Sequence, residues 1–179
     1  MNRLGMIVDL SHAGKQTCLD AINFSKKPVT ISHANPNFFH QSIRNIDDEV
    51  LKLLAKNNGF IGLSLYPYHL KNYGDCKLED FCEMINQLVN IMGEDNIGIG
   101  SDLCMNWPDS VVMWMRNGKW TKKIDYGESK NKNANWPKPL TWYSKPEDIS
   151  AFLKGMILNG ISEKTAHKIA GSNLSLIHI

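Results

Sequence analysis

The sequence predicts an α/β protein built from parallel β/α units. Three observations carry this reading. Short β-branched runs of strand length alternate with segments of helical period. The strand runs are apolar throughout, as in strands covered on both faces. Polar residues with catalytic chemistry close several of these runs. The first run is Gly5 to Ser11, followed by a helical pattern over Lys15 to Phe24. Pro28 to Ser32 is a second strand, with Pro28 at its start, where a missing donor is tolerated. Asp47 to Lys56 reads as a helix, acidic at its start and stopped by Asn57-Asn58-Gly59. Phe60 to Leu65 is a third strand and Leu78 to Met92 a strongly amphipathic helix. Asn96 to Asp102 is a fourth strand; helices follow from Lys145 towards Leu158 and from Ser162 to near Gly171.

Four strands with their helices make about half of an eight-stranded β/α barrel. A whole one needs about 250 residues, and this chain has 179. The chain is 42% hydrophobic and 21% charged, which excludes disorder and low-complexity classes. A net charge of +2 is too small for a dedicated nucleic-acid binder. No apolar run has the length of a membrane span. Between about residues 103 and 143 the rhythm breaks. All five tryptophans (Trp107, Trp114, Trp120, Trp136 and Trp142) and many of the lysines fall there. Aromatic and basic residues interleaved in this way superficially suggest single-stranded nucleic acid. Leaving the strand that ends at Asp102, the segment reads instead as a lid or pocket wall.

His12, His33 and Asp102 each close a predicted strand. In a parallel barrel the C-terminal strand ends share one face, so residues distant in sequence meet there. Two imidazoles at that face suit zinc or a similar metal, and an aspartate beside them can coordinate or handle a proton. The competing reading makes each histidine a hydrogen-bonded structural residue. Arg44 is equally open, since Asp47 or Asp48 could pair with it on the surface. His40 reads as solvated, His69 as a candidate pocket residue and His167 as structural. Cys18, Cys76, Cys82 and Cys104 form no Cys-x-x-Cys pattern, so zinc-ribbon and thioredoxin-like sites are excluded. Cys18 and Cys82 read as buried thiols and Cys104 as a neighbour of the site. This cysteine usage favours a reducing, cytoplasmic compartment; the alternative left open is a secreted protein whose signal peptide is lost with the missing N-terminus.

The stretches MNRLGMIVDLSHAG, PVTISHAN, IRNIDDEVL and IGIGSD together resemble the renal (membrane) dipeptidase family of zinc metallopeptidases. The resemblance runs from Met1 to Asp102 and resumes weakly at Gly171-Ser172-Asn173. Its order and intervals are similar to the family's: 21 residues from His12 to His33, 11 to Arg44 and 58 to Asp102. The resemblance implies the C-terminal half of a (β/α)8 TIM-type metallo-dependent hydrolase barrel. It implies two zinc ions per intact site, with His12 and His33 as ligands of the second. Arg44 would hold the substrate's terminal carboxylate, and Asp102 would manage protons. The implied partner is a dipeptide, and a homodimer is one candidate assembly of the intact enzyme.

Two departures qualify the resemblance. The family's first-metal ligands, a His-x-Asp pair and a bridging glutamate, precede the matched region, and no His-x-Asp occurs in this chain. After Asp102 the family's Phe-Asp-Gly is replaced by Leu103-Cys104-Met105. The expected organisation is therefore a partial barrel over residues 1–173, truncated at its N-terminus and also at its C-terminus, with the insertion at 103–143. Residues 174–179 (LSLIHI) read as a sequencing-adapter scar, which removes His178 from the chemistry. The expected activity is dipeptide hydrolysis in the intact enzyme, with the fragment alone inactive. The alternatives are hydrolysis of a cyclic amide or lactone, and an inert half-barrel.

Overall fold

The computed structural model describes residues 1–108, 110–111 and 136–173. A parallel sheet of three strands, in the order β1 (Thr30–Ala34), β2 (Phe60–Leu63), β3 (Ile97–Ile99), forms its centre. Thr30 pairs with Phe60, and Ile61 pairs with both Ile31 and Ile97. One helix precedes β1, and each crossover between strands carries another. These are α1 (Lys15–Phe24), α2 (Asp48–Lys56) and α3 (Leu78–Met92), with α2 packed against both α1 and α3. α4 (Ile149–Leu158) and α5 (Glu163–His167) follow the long connection, and a π-helical turn over Lys168–Ser172 packs on β3.

The helices bury the faces their sequence period sets out. α3 turns Phe81, Met84, Ile85, Leu88 and Met92 inward; each such side chain contributes about 1.5–3 kcal/mol when fully buried. α2 buries Val50, Leu51 and Leu54, and carries Asp48 and Glu49 in its first turn, where the helix dipole favours negative charge. The Ser162 hydroxyl accepts from the Thr165 backbone N–H and caps α5. Cys18, Cys76 and Cys82 are buried free thiols, and Cys104 is an exposed one. Within the long connection, Trp142 donates its indole N–H to the Cys76 carbonyl and stacks on Phe152. Trp107 is exposed, and its carbonyl accepts from the Trp136 indole. Trp114, Trp120 and the 174–179 segment lie outside the described residues.

One expected strand is not formed. Residues 5–11 lie parallel to β1 but make only a single bridge, Asp9 to Thr30. The Thr30 N–H donates to the Val8 carbonyl, and the Leu10 N–H to the Thr30 carbonyl. The ladder then stops because the Asp9 carboxylate takes the Ser32 and Ser11 N–H groups. A side chain has replaced the next rung. The flanking strands are also shorter than their apolar runs: β2 ends at Leu63 and β3 at Ile99.

Candidate functional site

The site forms where the chain leaves residue 11, β1 and β3. The Asp9 carboxylate accepts from the Ser11 N–H two residues on, an Asx turn. Beyond this turn His12 takes the left-handed conformation, with φ of 68°. Asp102, past the end of β3, is also left-handed, with φ of 52°. His and Asp tolerate this region better than most residues, and such positions cluster at functional sites.

His33 is aimed by a bulge. The register between β1 and β2 shifts between Ile31 and Ala34, so Ser32 and His33 leave the regular ladder. The Ser32 carbonyl swings over β2 and beyond it. A Cβ on either Gly62 or Gly100 would collide with that oxygen. Those two glycines make room for the bulge, which re-aims the histidine.

The two imidazoles converge. Nε2 of His12 and Nε2 of His33 are 3.1 Å apart, with the rings edge to face. Two ligands at about 2.0–2.1 Å from a tetrahedral ion sit about 3.3 Å from each other, so this spacing fits a shared metal. Behind His33, Nδ1 lies 2.9 Å from the Ser32 hydroxyl, which donates to Asp9 Oδ2 at 2.6 Å. The Ser11 hydroxyl lies 3.0 Å from that of Ser32 and accepts the His33 backbone N–H. Burial pushes the Asp9 carboxyl up. Hydrogen bonds from Ser32 and Ser11 outweigh it and hold the group below the usual carboxylate range.

Arg44 and Asp102 both lie within electrostatic reach of His12. Burial, then the Arg44 charge, then that of His33 lower the His12 pKa; Asp102 opposes them. A lowered pKa keeps the imidazole neutral, the form that binds metals. Arg44 is half-buried in the loop between β1 and α2. That loop is held by Asn45, whose side chain accepts from the Asn35 N–H and donates to the His40 and His69 carbonyls. Asp47, a surface partner considered for Arg44, is bonded by Asn37 and bridged by Lys15. Asp102 lines a cleft of about 310 Å³ with Leu65, Tyr66, Leu103, Cys104 and Tyr143.

The other histidines sort differently. His69 is buried, its Nδ1 2.9 Å from the Ser64 hydroxyl. His40 is half-buried and edge-on to Tyr73, at 5.6 Å between ring centres, where a solvated residue was expected. Tyr73 supplies the cover that the loop sequence did not reveal. Asp9, Ser11 and Ser32 were missed by sequence reasoning. The available signal was the pair of Ser-His dipeptides, Ser11-His12 and Ser32-His33. Among the described residues, no group of three or more His, Cys, Asp or Glu side chains could hold a metal. His12 and His33 thus offer two ligands.

The sequence model of the membrane dipeptidase family, peptidase family M19, matches residues 1–110. A dipeptidase of Claviceps purpurea, TcpJ, is 29% identical over 170 residues, covering 88% of this chain and 38% of its own length. A crystal structure of an amidohydrolase from Pseudomonas aeruginosa superposes with a TM-score of 0.84 at 29% identity, covering 99% of this chain and 53% of that one. The metallopeptidase dipeptidase AC, of family M19, shares the fold with a TM-score of 0.74 at 20% identity, covering 99% of this chain and 44% of that one. The chain spans between 25% and 38% of the length of the curated relatives it matches. With the family match extending over more than half of its residues, this chain belongs to the membrane dipeptidase family of metallopeptidases.

Proposed function

We propose that these residues form the second-metal half of a dipeptidase site, completed in the intact enzyme by ligands this sequence does not contain. The observation that carries the reading is the convergence of two imidazole Nε2 atoms at 3.1 Å, under the charges of Arg44 and Asp102. His12 and His33 would hold a zinc ion. A bound zinc ion makes water a nucleophile near neutral pH and polarises a carbonyl. Arg44 would grip the dipeptide's free carboxylate with its planar fork of N–H donors. This anchoring restricts the site to short peptides with a nearby chain end. Asp102, half-buried at the edge of its cleft, would pass a proton to the departing amine.

A second reading, hydrolysis of a cyclic amide or lactone, has one observation in its favour: the Pseudomonas aeruginosa structure carries the name amidohydrolase. A panel of dipeptides, N-blocked and C-amidated peptides, hydantoins and lactones, run on the full-length enzyme, separates the two. Cleavage of free dipeptides, with loss on C-terminal amidation, is the expected result. Turnover of the cyclic substrates alone would overturn the dipeptidase reading. The 179-residue chain by itself is expected to bind zinc weakly and to show no turnover.

A further inference from the structure

We propose that Asp9 is a positioning residue that works through Ser32 to fix the tautomer of His33. The proton is placed on Nδ1, and the Nε2 lone pair is left facing the metal position. The inference rests on the metal reading above only for its consequence, since the tautomer follows from hydrogen-bond directions within the chain.

The directions can be traced from one fixed end. An ionised carboxylate accepts hydrogen bonds and donates none. Asp9 is met by two backbone N–H groups, of Ser11 at 3.0 Å and Ser32 at 2.9 Å, and by the Ser32 hydroxyl at 2.6 Å. The Ser32 hydroxyl has one proton, and it is spent on Asp9 Oδ2. Towards every other neighbour Ser32 Oγ can only accept. Two groups remain: the Ser11 hydroxyl at 3.0 Å and His33 Nδ1 at 2.9 Å. Both must donate. The Ser11 oxygen is free to do so because its own lone pair receives the His33 backbone N–H at 3.1 Å.

Every hydrogen in this ring of four groups has one place. A neutral His33 therefore carries its proton on Nδ1. Its Nε2 is the acceptor in the 3.1 Å contact with His12, and His12 is the donor. A ligand histidine commonly has its second nitrogen bonded to a carboxylate or carbonyl. Here a serine hydroxyl is interposed between the two. Asp9, Ser11 and Ser32 also end the ladder of residues 5–11, and Ser32 lies in the β1 bulge, so the relay is part of the local fold.

The test is the ¹⁵N signature of the His33 ring in the metal-free 179-residue chain at pH 8, assigned by its loss in His33→Gln. The native chain is expected to show a protonated Nδ1 and an unprotonated Nε2. Asp9→Asn should invert this. Its Oδ1 stays with the Ser11 and Ser32 N–H groups, and its amide then donates to Ser32 Oγ. The hydroxyl proton is released to His33 Nδ1, the ring proton moves to Nε2, and His12 Nε2 becomes the acceptor in their contact. Ser32→Thr keeps the hydroxyl and should keep the native signature. A native ring protonated on Nε2 overturns the proposal without any variant, and so does Asp9→Asn with an unchanged tautomer. Zinc competition against a chromophoric chelator gives the second readout. Asp9→Asn is expected to weaken binding by about 10–100-fold, the usual range for a lost outer partner. If the tautomer inverts while zinc binding is unchanged, the relay stands and the metal reading fails.

Discussion

The two halves of the candidate site are built on opposite principles. At the histidine end, two serines, an aspartate and a β-bulge hold the His33 ring in a chain of hydrogen bonds. At the Asp102 end, the described residues supply no side-chain donor to the carboxylate. It lies in a left-handed backbone position beside an open, largely apolar cleft. The contrast matches what each chemistry needs. A metal ligand works when its lone pair is held still before the ion arrives. A proton carrier works when it can change partners. The rigid half costs the fold a strand, since Asp9 ends the ladder of residues 5–11 to make the relay. The open half leaves room for the long connection to determine what enters.

The largest effects should separate these halves. Replacing His33 by Ala removes one of the two proposed ligands and is expected to reduce zinc affinity by about 100-fold or more, beyond the range for outer-partner loss. Replacing Asp102 by Asn should leave zinc affinity within about twofold. In the full-length enzyme it should lower kcat by about 10²–10⁴, the range for losing a positioned acid or base. Equilibrium dialysis of zinc and steady-state kinetics check the two arms. Loss of zinc binding in Asp102→Asn would merge the halves into one ligand set and break the comparison.

The next effect is on the fold beneath the rigid half. A Cβ at Gly100 would strike the Ser32 carbonyl, and backbone there cannot move without shifting the bulge. Gly100→Ala is expected to destabilise the chain by about 1–3 kcal/mol, as overpacking does, and to move the His33 ring resonances. Gly160, where a Cβ meets nothing within 4 Å but φ is 86°, is the control. Gly160→Ala strains the backbone yet should leave His33 unmoved. Denaturant unfolding gives the stability and ring NMR gives the displacement.

How much of this could be read from the sequence differs between the same regions. α1 and α3 occupy the residues their periodicity marks, because helical spacing over ten or more residues is a long-range pattern. The strand ends pointed to His12, His33 and Asp102, and the family resemblance pointed to Arg44; in the structure the His12 ring meets that of His33 and feels the charges of Arg44 and Asp102. The relay was not visible. Asp9 sits inside an apolar run, where its period suits a strand, and nothing local shows that its carboxylate replaces a rung. The bulge was hidden for a similar reason. Gly62 and Gly100 look like ordinary strand glycines until the Ser32 carbonyl is seen above them. His40 was read as solvated because its cover, Tyr73, lies 33 positions away in sequence. Long-range polar contacts leave no period to find.

The smallest effect concerns the underside of the open half. Glu94, just before β3, accepts from Thr165 and from Lys168 at 2.6 Å each, and Lys168 also bridges Asp95. Asn173 donates its amide to the Glu94 and Ile97 carbonyls and ties the π-helical turn to the start of β3. The Lys168 and Thr165 hydrogen bonds lower the Glu94 pKa from 4.5 to about 2. A carboxylate whose pKa is lower when folded stabilises the fold above its unfolded pKa. That contribution fades as pH falls from about 4.5 towards 2. Acidification through this window should loosen α5 and the π-helical turn from β3, the strand that leads to Asp102. Among the described residues no hydrogen bond or ion pair joins Asp9, Ser32 or His33 to Glu94, Thr165, Lys168 or Asn173. Amide hydrogen exchange across pH 5 to 2 should therefore show protection lost first in residues 163–172, and Glu94→Gln should flatten that early loss. Simultaneous loss at Ser32 and His33 would show that the two halves unfold as one unit, and the division drawn between them would then hold for their chemistry but not for their stability.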